Sequence, residues 1–349
     1  MTKTGKINVA ILGATGSVGQ KFIQLLEGHP YFQVTEVAAS DRSAGKKYSE
    51  AVNWFMTTPI PKDVANLTVK ACAPGLESKL LFSALDANVA GEIEEEFAKK
   101  GYFVVSNSKN HRMDKDVPLL IPEVNPDHLE LVKCQKFGGG AIVTNPNCST
   151  IGLVLALKPL ADNFGLDTVN VVTMQALSGA GYPGVSSLDS IDNVIPFIGG
   201  EEAKLETEPL KILGQLKNGF IEDTNIKISA QTNRVAVLDG HTESVQVNLK
   251  TKPTKEEIIE VWKNFKSEPQ ALDLPFAPIN PIYYFHEDKY PQPRLHRNLD
   301  KGMATSVGRL RDCNIFDYKF TVLSHNTVRG AAGGAILCAE LMKAKGYLD

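Results

Sequence analysis

Over the first 145 residues the apolar positions fall in short runs separated by glycine and polar clusters. Ile7–Leu12 is an apolar run of β type that ends in Gly13-Ala14-Thr15-Gly16-Ser17-Val18-Gly19. Phe22, Ile23, Leu25 and Leu26 then recur at helical spacing until Gly28 and Pro30 stop them. The order is strand, glycine turn, helix. Val34–Ala39 reads as the next strand, and runs at Leu80–Phe82 and Tyr102–Val105 flank a Glu-rich helical stretch, Gly91–Lys100. Strands and helices alternating on this scale predict a parallel sheet covered by helices on both faces.

Gly138-Gly139-Gly140 precedes one more strand, Ala141–Thr144, and then Asn145-Pro146-Asn147-Cys148. A domain boundary is expected here, with one unit over 1–147 and another over 148–326. Beyond it the pattern changes to strands at Val169–Gln175, Ile226–Ser229, Arg234–Leu238 and Thr242–Leu249, the last with apolar residues at every second position. Thr254–Phe265 has the pattern of an amphipathic helix. Glu268–Pro293, rich in proline and aromatics, reads as a long ordered loop or subunit contact, and Thr327–Lys345 is apolar with helical periodicity.

A length of 349 residues suits two domains, and an apolar fraction of 43% supplies their cores. A net charge of −3 argues against a nucleic-acid binder but leaves room for a local anion pocket. The first residues lack the pattern of a signal peptide, and no apolar run reaches the roughly 18 residues of a membrane span. The five cysteines are scattered and form no CxxC pair, so neither a disulfide framework nor a metal site is expected. The cytoplasm is the expected compartment.

Gly13, Gly16 and Gly19 form a GxxGxxG variant of the dinucleotide fingerprint. Glycine allows the tight turn and close backbone approach, and the helix start that follows offers N–H groups to a pyrophosphate. Thr15, Ser17 and Val18 belong to the same turn. An acidic residue normally ends the second strand of an NAD site; here Ser40 holds that place, with Asp41 next and Arg42, Ser43 and Lys46 behind it. Hydroxyls and a guanidinium suit a 2′-phosphate, which favours NADP.

Asn147 is a suitable N-cap, which places Cys148 in the first turn of a helix. The positive end of a helix stabilises a thiolate, so a lowered thiol pKa and a nucleophilic role are expected, with backbone N–H groups near an oxyanion. Cys72, Cys134, Cys313 and Cys338 read as inert fillers. His241 shares its parity with Val245, Val247 and Leu249, hence an inward face with Glu243 beneath it. A histidine so placed is often a plain core residue; Arg234, seven positions earlier across a short hairpin, would bring both to one pocket and favour a proton-transfer role near pKa 6.5.

The ordered set Gly13–Gly19, Asn145–Thr150, Gln175–Gly181, Gly200–Lys204, Asn233–Val235, Asp239–His241 and His325–Gly330 resembles aspartate-semialdehyde dehydrogenases of the fungal and archaeal branch, essentially end to end. The chain departs from the family signature at Thr232, where a cysteine is usual. The resemblance implies an α/β fold, a Rossmann-type dinucleotide-binding domain plus an α+β catalytic and dimerisation domain of the glyceraldehyde-3-phosphate dehydrogenase-like type. The C-terminal helix, 327–349, would complete the first domain. It also implies NADPH-dependent reductive dephosphorylation of L-4-aspartyl phosphate to L-aspartate 4-semialdehyde through a Cys148 thioester, on the route to lysine, methionine and threonine. His241 would move the proton and Gln175 orient the acyl group. Arg234 would grip the α-carboxylate and Glu201 the α-ammonium, with Glu202 as a neighbour, while Lys204 and Arg112 would meet the phosphate. Ser83, Ser178, Gly179 and Asn326 would join the turn residues around the cofactor. A homodimer or homotetramer fits the family.

Two other readings compete. An acyl reductase for N-acetyl-glutamyl phosphate or malonyl-CoA would share the cysteine, but Glu201 and Arg234 together favour a zwitterionic substrate. A nucleotide-binding protein without catalysis would have no need of Cys148, Gln175, Arg234 and His241 together.

Overall fold

A computed structural model describes residues 5–348. The first sheet is wholly parallel: β1 (Ile7–Leu12), β2 (Phe32–Ala39), β3 (Lys70–Ala71), β4 (Leu80–Ser83), β5 (Phe103–Ser106) and β6 (Ala141–Thr144), in the order β3-β2-β1-β4-β5-β6. Its strands are nearly continuous apolar runs because both faces are covered. Val9 and Ile11 pack with Phe22, Ile23 and, from the far end of the chain, Ile336, Leu337 and Leu341. Ala10 and Leu12 face the other way, towards Leu81 and Phe97. The strand order reverses between β1 and β4, the crevice where ligands of such sheets bind. The helix expected from Gly91 begins earlier, at Ala87, because the Asp86 carboxylate caps it by accepting the Asn88 N–H.

The second sheet is mixed. Its strands are β7 (Leu166–Gln175), β10 (Lys227–Arg234), β11 (His241–Leu249), β12 (Ile282–Phe285), β13 (Thr305–Asp312) and β14 (Tyr318–Ser324), ordered β10-β7-β11-β14-β13-β12. A separate hairpin pairs β8 (Gln215–Lys217) with β9 (Phe220–Glu222). Helices Cys148–Phe164 and Lys255–Asn264 cover one face, where Leu153, Leu157, Val171, Val245, Trp262 and Phe320 share a core. The strict alternation of β11 burial follows from that one-sided cover.

Two expectations are corrected here. Arg234–Leu238 is not a strand, and Arg234 and His241 do not share a hairpin. Arg234 is the last residue of β10, which runs parallel to β7, whereas β11 lies antiparallel on the other side of β7. Residues 235–240 instead cross over the end of β7, where the Leu177 and Ser178 N–H groups donate to the Val237 and Leu238 carbonyls. Two strands joined by six residues can still flank a third, and local periodicity carries no trace of it. The segment Glu268–Pro293 likewise is not all loop: it holds a short helix, Glu268–Ala271, and the edge strand β12.

The chain tail winds first as a π-turn, Val328–Ala332, and then as the helix Gly333–Ala344 on the first sheet. Buried Glu340 accepts from His29 at 2.7 Å there. The Arg329 guanidinium forms a bidentate pair with Glu123 at 2.7 and 2.5 Å, both side chains fully buried. This clamp sets the π-turn against the start of the Cys148 helix, and only a glycine fits at Gly330. A Cβ there would lie 2.8 Å from the Cβ of Cys148.

Candidate active site

A cleft of 440 Å³ opens between the two sheets, lined among others by Ser17, Val18, Arg112, Cys148, Gln175, Ser178, Gly179, Glu201, Lys204, Arg234 and Asn326. Sheet register explains how the second sheet contributes. Arg234 of β10 is level with Gln175 of β7, which lies one step past the Met174–Thr242 pair and so beside His241, itself level with Ser324 of β14. Arg234, Gln175, His241 and Ser324 therefore form one row across four strands, all on the same face.

The Cys148 helix begins at that row. Asn147 caps it, its side-chain oxygen accepting the N–H groups of Ser149 and Thr150 at 3.0 and 3.3 Å. The Cys148 sulfur then lies 3.2 Å from His241 Nε2. On the other side of the ring, His241 Nδ1 accepts the Ala176 backbone N–H at 3.0 Å. An Nδ1 that accepts bears no proton, so the neutral ring carries its hydrogen on Nε2 and donates it to the sulfur. Burial, then the charges of Arg234 and His325, hold the His241 pKa down at about 3. The imidazole is neutral throughout the ordinary pH range, not a group titrating near 6.5.

The expected low thiol pKa is also corrected. Burial first, and the Glu201 carboxylate second, push the Cys148 thiol up to about 12, against the pull of Arg112, Lys204 and Arg234. Desolvation and a carboxylate outweigh the helix terminus on which the expectation rested.

Glu201 lies at the first turn of helix Glu201–Ile212 and faces the cleft. Its carboxylate accepts from Lys204 at 2.6 Å, Asn147 Nδ2 at 2.8 Å and Gln175 Nε2 at 3.4 Å. Burial works against its charge, but these donors prevail and keep its pKa below the usual carboxylate value. Glu202 points away and accepts the Thr232 N–H at 3.1 Å, since successive helical residues diverge by about 100°. Arg234 donates to the Ala176 carbonyl at 2.7 Å. Gly179 brings the neighbouring loop close, for a Cβ there would be 2.9 Å from Arg234 and 3.1 Å from His241.

Arg112 is held by Glu208 and the Asn107 carbonyl, each at 2.8 Å, leaving its Nε without a protein partner. Glu208 also accepts the Asn147 N–H at 2.8 Å, and the buried Lys211 ammonium donates to the carbonyls of Arg112, Asp114 and Val117. Sequence reasoning missed Glu208, Lys211 and the second role of Asn147. The signal was present, because Glu201, Lys204, Glu208 and Lys211 are spaced i, i+3, i+7, i+10 and so share one helix face.

At the other end of the cleft the glycine turn is a close backbone cradle. A Cβ on Gly13 would lie 2.5 Å from the Ala84 carbonyl oxygen, and one on Gly19 would lie 2.3 Å from that of Gly13. Gly16 caps the following helix without any side-chain bond, so the N–H groups at Ser17 and Val18 remain open to an anion. Thr15 lies within the turn, and its carbonyl accepts from Gln20. Exposed Ser40 and Arg42 and half-buried Ser43 form a turn just past β2, tied to the glycine turn by the Ala14 N–H on the Ala38 carbonyl. Asn326 accepts the Gly240 N–H and donates to Ser178, each at 2.8 Å, thereby joining three loops at the cleft. Ser83, like Glu202, is kept away from the cleft, being fully buried with its hydroxyl given to Glu94. Among the described residues no acidic, histidine or cysteine cluster is placed to hold a metal.

Comparison with known proteins agrees with this architecture. Residues 8–132 match the family profile "Semialdehyde dehydrogenase, NAD binding domain", and residues 157–329 match "Semialdehyde dehydrogenase, dimerisation domain". The aspartate-semialdehyde dehydrogenase of Schizosaccharomyces pombe is 50% identical over 97% of this chain and 99% of its own length. That of Archaeoglobus fulgidus is 50% identical over 97% and 98%. The crystal structure of the Candida albicans aspartate semialdehyde dehydrogenase with NADP superposes with a TM-score of 0.90 at 43% identity, covering 98% of this chain and 99% of that one. A glycine cradle and a cysteine–histidine pair at facing ends of one cleft, in a chain alike from end to end, have one reading: this chain belongs to the aspartate-semialdehyde dehydrogenase family.

Proposed function

We propose that the chain reduces L-4-aspartyl phosphate to L-aspartate 4-semialdehyde and phosphate with NADPH, in the biosynthesis of lysine, methionine and threonine. The observation that carries this reading is the Cys148 sulfur 3.2 Å from His241 Nε2, in a cleft that also presents Arg234 and Glu201. A guanidinium for an α-carboxylate and a carboxylate for an α-ammonium suit a free amino acid. The unpartnered Arg112 Nε, with Lys204, suits the acyl phosphate. Residues 1–147 with 327–349 would form the nucleotide unit and 148–326 the catalytic one.

The Gly13–Gly19 cradle and open helix start fit a dinucleotide pyrophosphate, and the Ser40, Arg42 and Ser43 turn fits a 2′-phosphate. When bound, NADPH supplies the two reducing electrons as hydride. The chain's own residues do the rest. As the Cys148 sulfur attacks the acyl carbon, the acyl C–O bond breaks, the phosphate leaves with the bonding pair and takes up the thiol proton, and a thioester on Cys148 remains. Gln175, anchored to Glu201, orients the acyl group. The His241 Nε2–H steadies negative charge first on sulfur and then on the acyl oxygen, and the N–H groups at the helix start add to it. The assay is direct. Aspartate semialdehyde is expected to drive phosphate-dependent formation of NADPH, with no comparable signal from N-acetyl-glutamate semialdehyde or malonate semialdehyde; equal rates with the three aldehydes would refute the zwitterion pocket.

A homo-oligomer, a dimer or a tetramer built from it, is supported by the uncovered face of the second sheet and by exposed Leu188, Ile191, Val194 and Phe197 nearby. The Ile195 backbone pairs with that of Arg234 at 2.8 and 3.0 Å, linking this apolar segment to the substrate row. Paired L188E and I191E substitutions are expected to lower the sedimentation coefficient and reduce kcat together. An unchanged assembly would place the interface elsewhere. Five free cysteines suit the reducing cytoplasm.

A further inference from the structure

The row beneath the catalytic one is unusual for the interior of a sheet. Thr232, Thr173 and Glu243 are level with one another across β10, β7 and β11, and so point to the same face as Arg234, Gln175 and His241. One row deeper, Ala230, Val171 and Val245 begin the hydrocarbon core. Glu243 is 1% exposed, and neither of its carboxyl oxygens has a protein partner. The hydroxyls of Thr232, Ser149, Thr150 and Ser324 are buried and equally without partners. Ser149 and Thr150 open the Cys148 helix. Gly152, on the same helix face as Ser149, rests on Ser324, where a Cβ would come within 2.4 Å of the hydroxyl. A polar compartment thus lies between the sheet and the first turn of the helix that carries the nucleophile.

Among the described residues no cation is paired with Glu243. Level with it are Thr173 of β7 and Val322 of β14, with Thr232 of β10 beyond Thr173, and the same face of the sheet is covered by the helix whose first turn carries Ser149 and Thr150. On its own strand the only titratable neighbour is His241, held neutral by the Ala176 amide. An isolated buried carboxylate is costly, whereas a protonated carboxyl both donates and accepts, as a ring of hydroxyls and internal water requires. Burial accordingly raises its pKa well above the ordinary carboxyl value.

We infer that Glu243 is a neutral carboxylic acid, a positioning residue that seats the first turn of the Cys148 helix on the sheet through this polar compartment. The inference rests on the proposed role of Cys148 and His241, but its test does not. The infrared spectrum of the wild-type enzyme at neutral pH is expected to show a protonated-carboxyl band that E243Q lacks. E243Q, neutral and of the same shape, should keep kcat within about threefold. E243L should fold with equal or greater thermal stability, yet lose about 10- to 100-fold in kcat with KM little changed, because the sulfur loses its alignment. Absence of the band, an E243Q as impaired as E243L, or a fully active E243L would each overturn the inference while leaving the thioester chemistry standing.

Discussion

Replacement of Cys148 by serine is expected to lower kcat by about 10⁴-fold or more while NADPH binds almost as before. A serine hydroxyl is a far weaker acid and nucleophile than the thiol, and the ester it would form accepts hydride less readily than a thioester. His241 Nδ1, the only ring nitrogen free of hydrogen, is occupied by the Ala176 N–H at 3.0 Å on the side away from the sulfur. Nε2 faces residue 148 as a donor. Such a donor steadies negative charge that develops on sulfur or on an acyl oxygen, but it deprotonates neither a thiol nor an alcohol, so the stronger acidity and nucleophilicity of sulfur decide. The serine variant should therefore fail even though its oxygen would occupy nearly the same place. Single-turnover kinetics with fluorescence titration of NADPH will separate the two effects. Turnover near the wild-type rate would remove the nucleophile from the account.

The second large effect concerns Glu201, with two readouts moving in opposite directions. The E201Q enzyme is expected to lose about 10²- to 10³-fold in kcat/KM, the usual consequence of removing one charge from a desolvated pair with the substrate ammonium. Its free Cys148 should nevertheless react faster with iodoacetamide. The Glu201 carboxylate is one cause of the raised thiol pKa, so its removal lowers that pKa and enlarges the thiolate fraction at a fixed pH. The alkylation profile should shift to lower pH as the catalytic profile collapses. Slower alkylation in E201Q would mean that the carboxylate does not bear on the sulfur. In the wild-type enzyme no inflection from His241 is expected near pH 6.5, since its pKa is held at about 3.

The first sheet was largely legible in the sequence because parallel strands buried on both faces are continuous apolar runs ended by glycine. β1 and β6 fall where those runs lie, Ile7–Leu12 and Ala141–Thr144. The Cys148 helix was legible for a similar reason, since an asparagine before a cysteine and a long apolar stretch is a local signal. Less of the second sheet could be read. That β7 intervenes between Arg234 and His241 is a fact of strand order, and a six-residue connection reads as a hairpin when only its own residues are considered. The electrostatics were the least legible part. The helix terminus beside Cys148 is visible in the sequence, but the burial that reverses its effect comes from other elements of the fold, and the Glu201 carboxylate that adds to it lies 53 positions further along the chain. Glu202 and Ser83 fall outside the cleft for equally local reasons: the divergence of adjacent side chains on a helix, and a hydroxyl already committed to Glu94.

The acyl-enzyme itself provides the decisive measurement. Enzyme mixed with L-4-aspartyl phosphate in the absence of NADPH, quenched in acid and digested, is expected to yield one aspartyl adduct, on the peptide containing Cys148, labile to hydroxylamine and released as aldehyde when NADPH is added before the quench. An adduct on another residue, or competent turnover with Cys148 unmodified at every time point, would contradict the account.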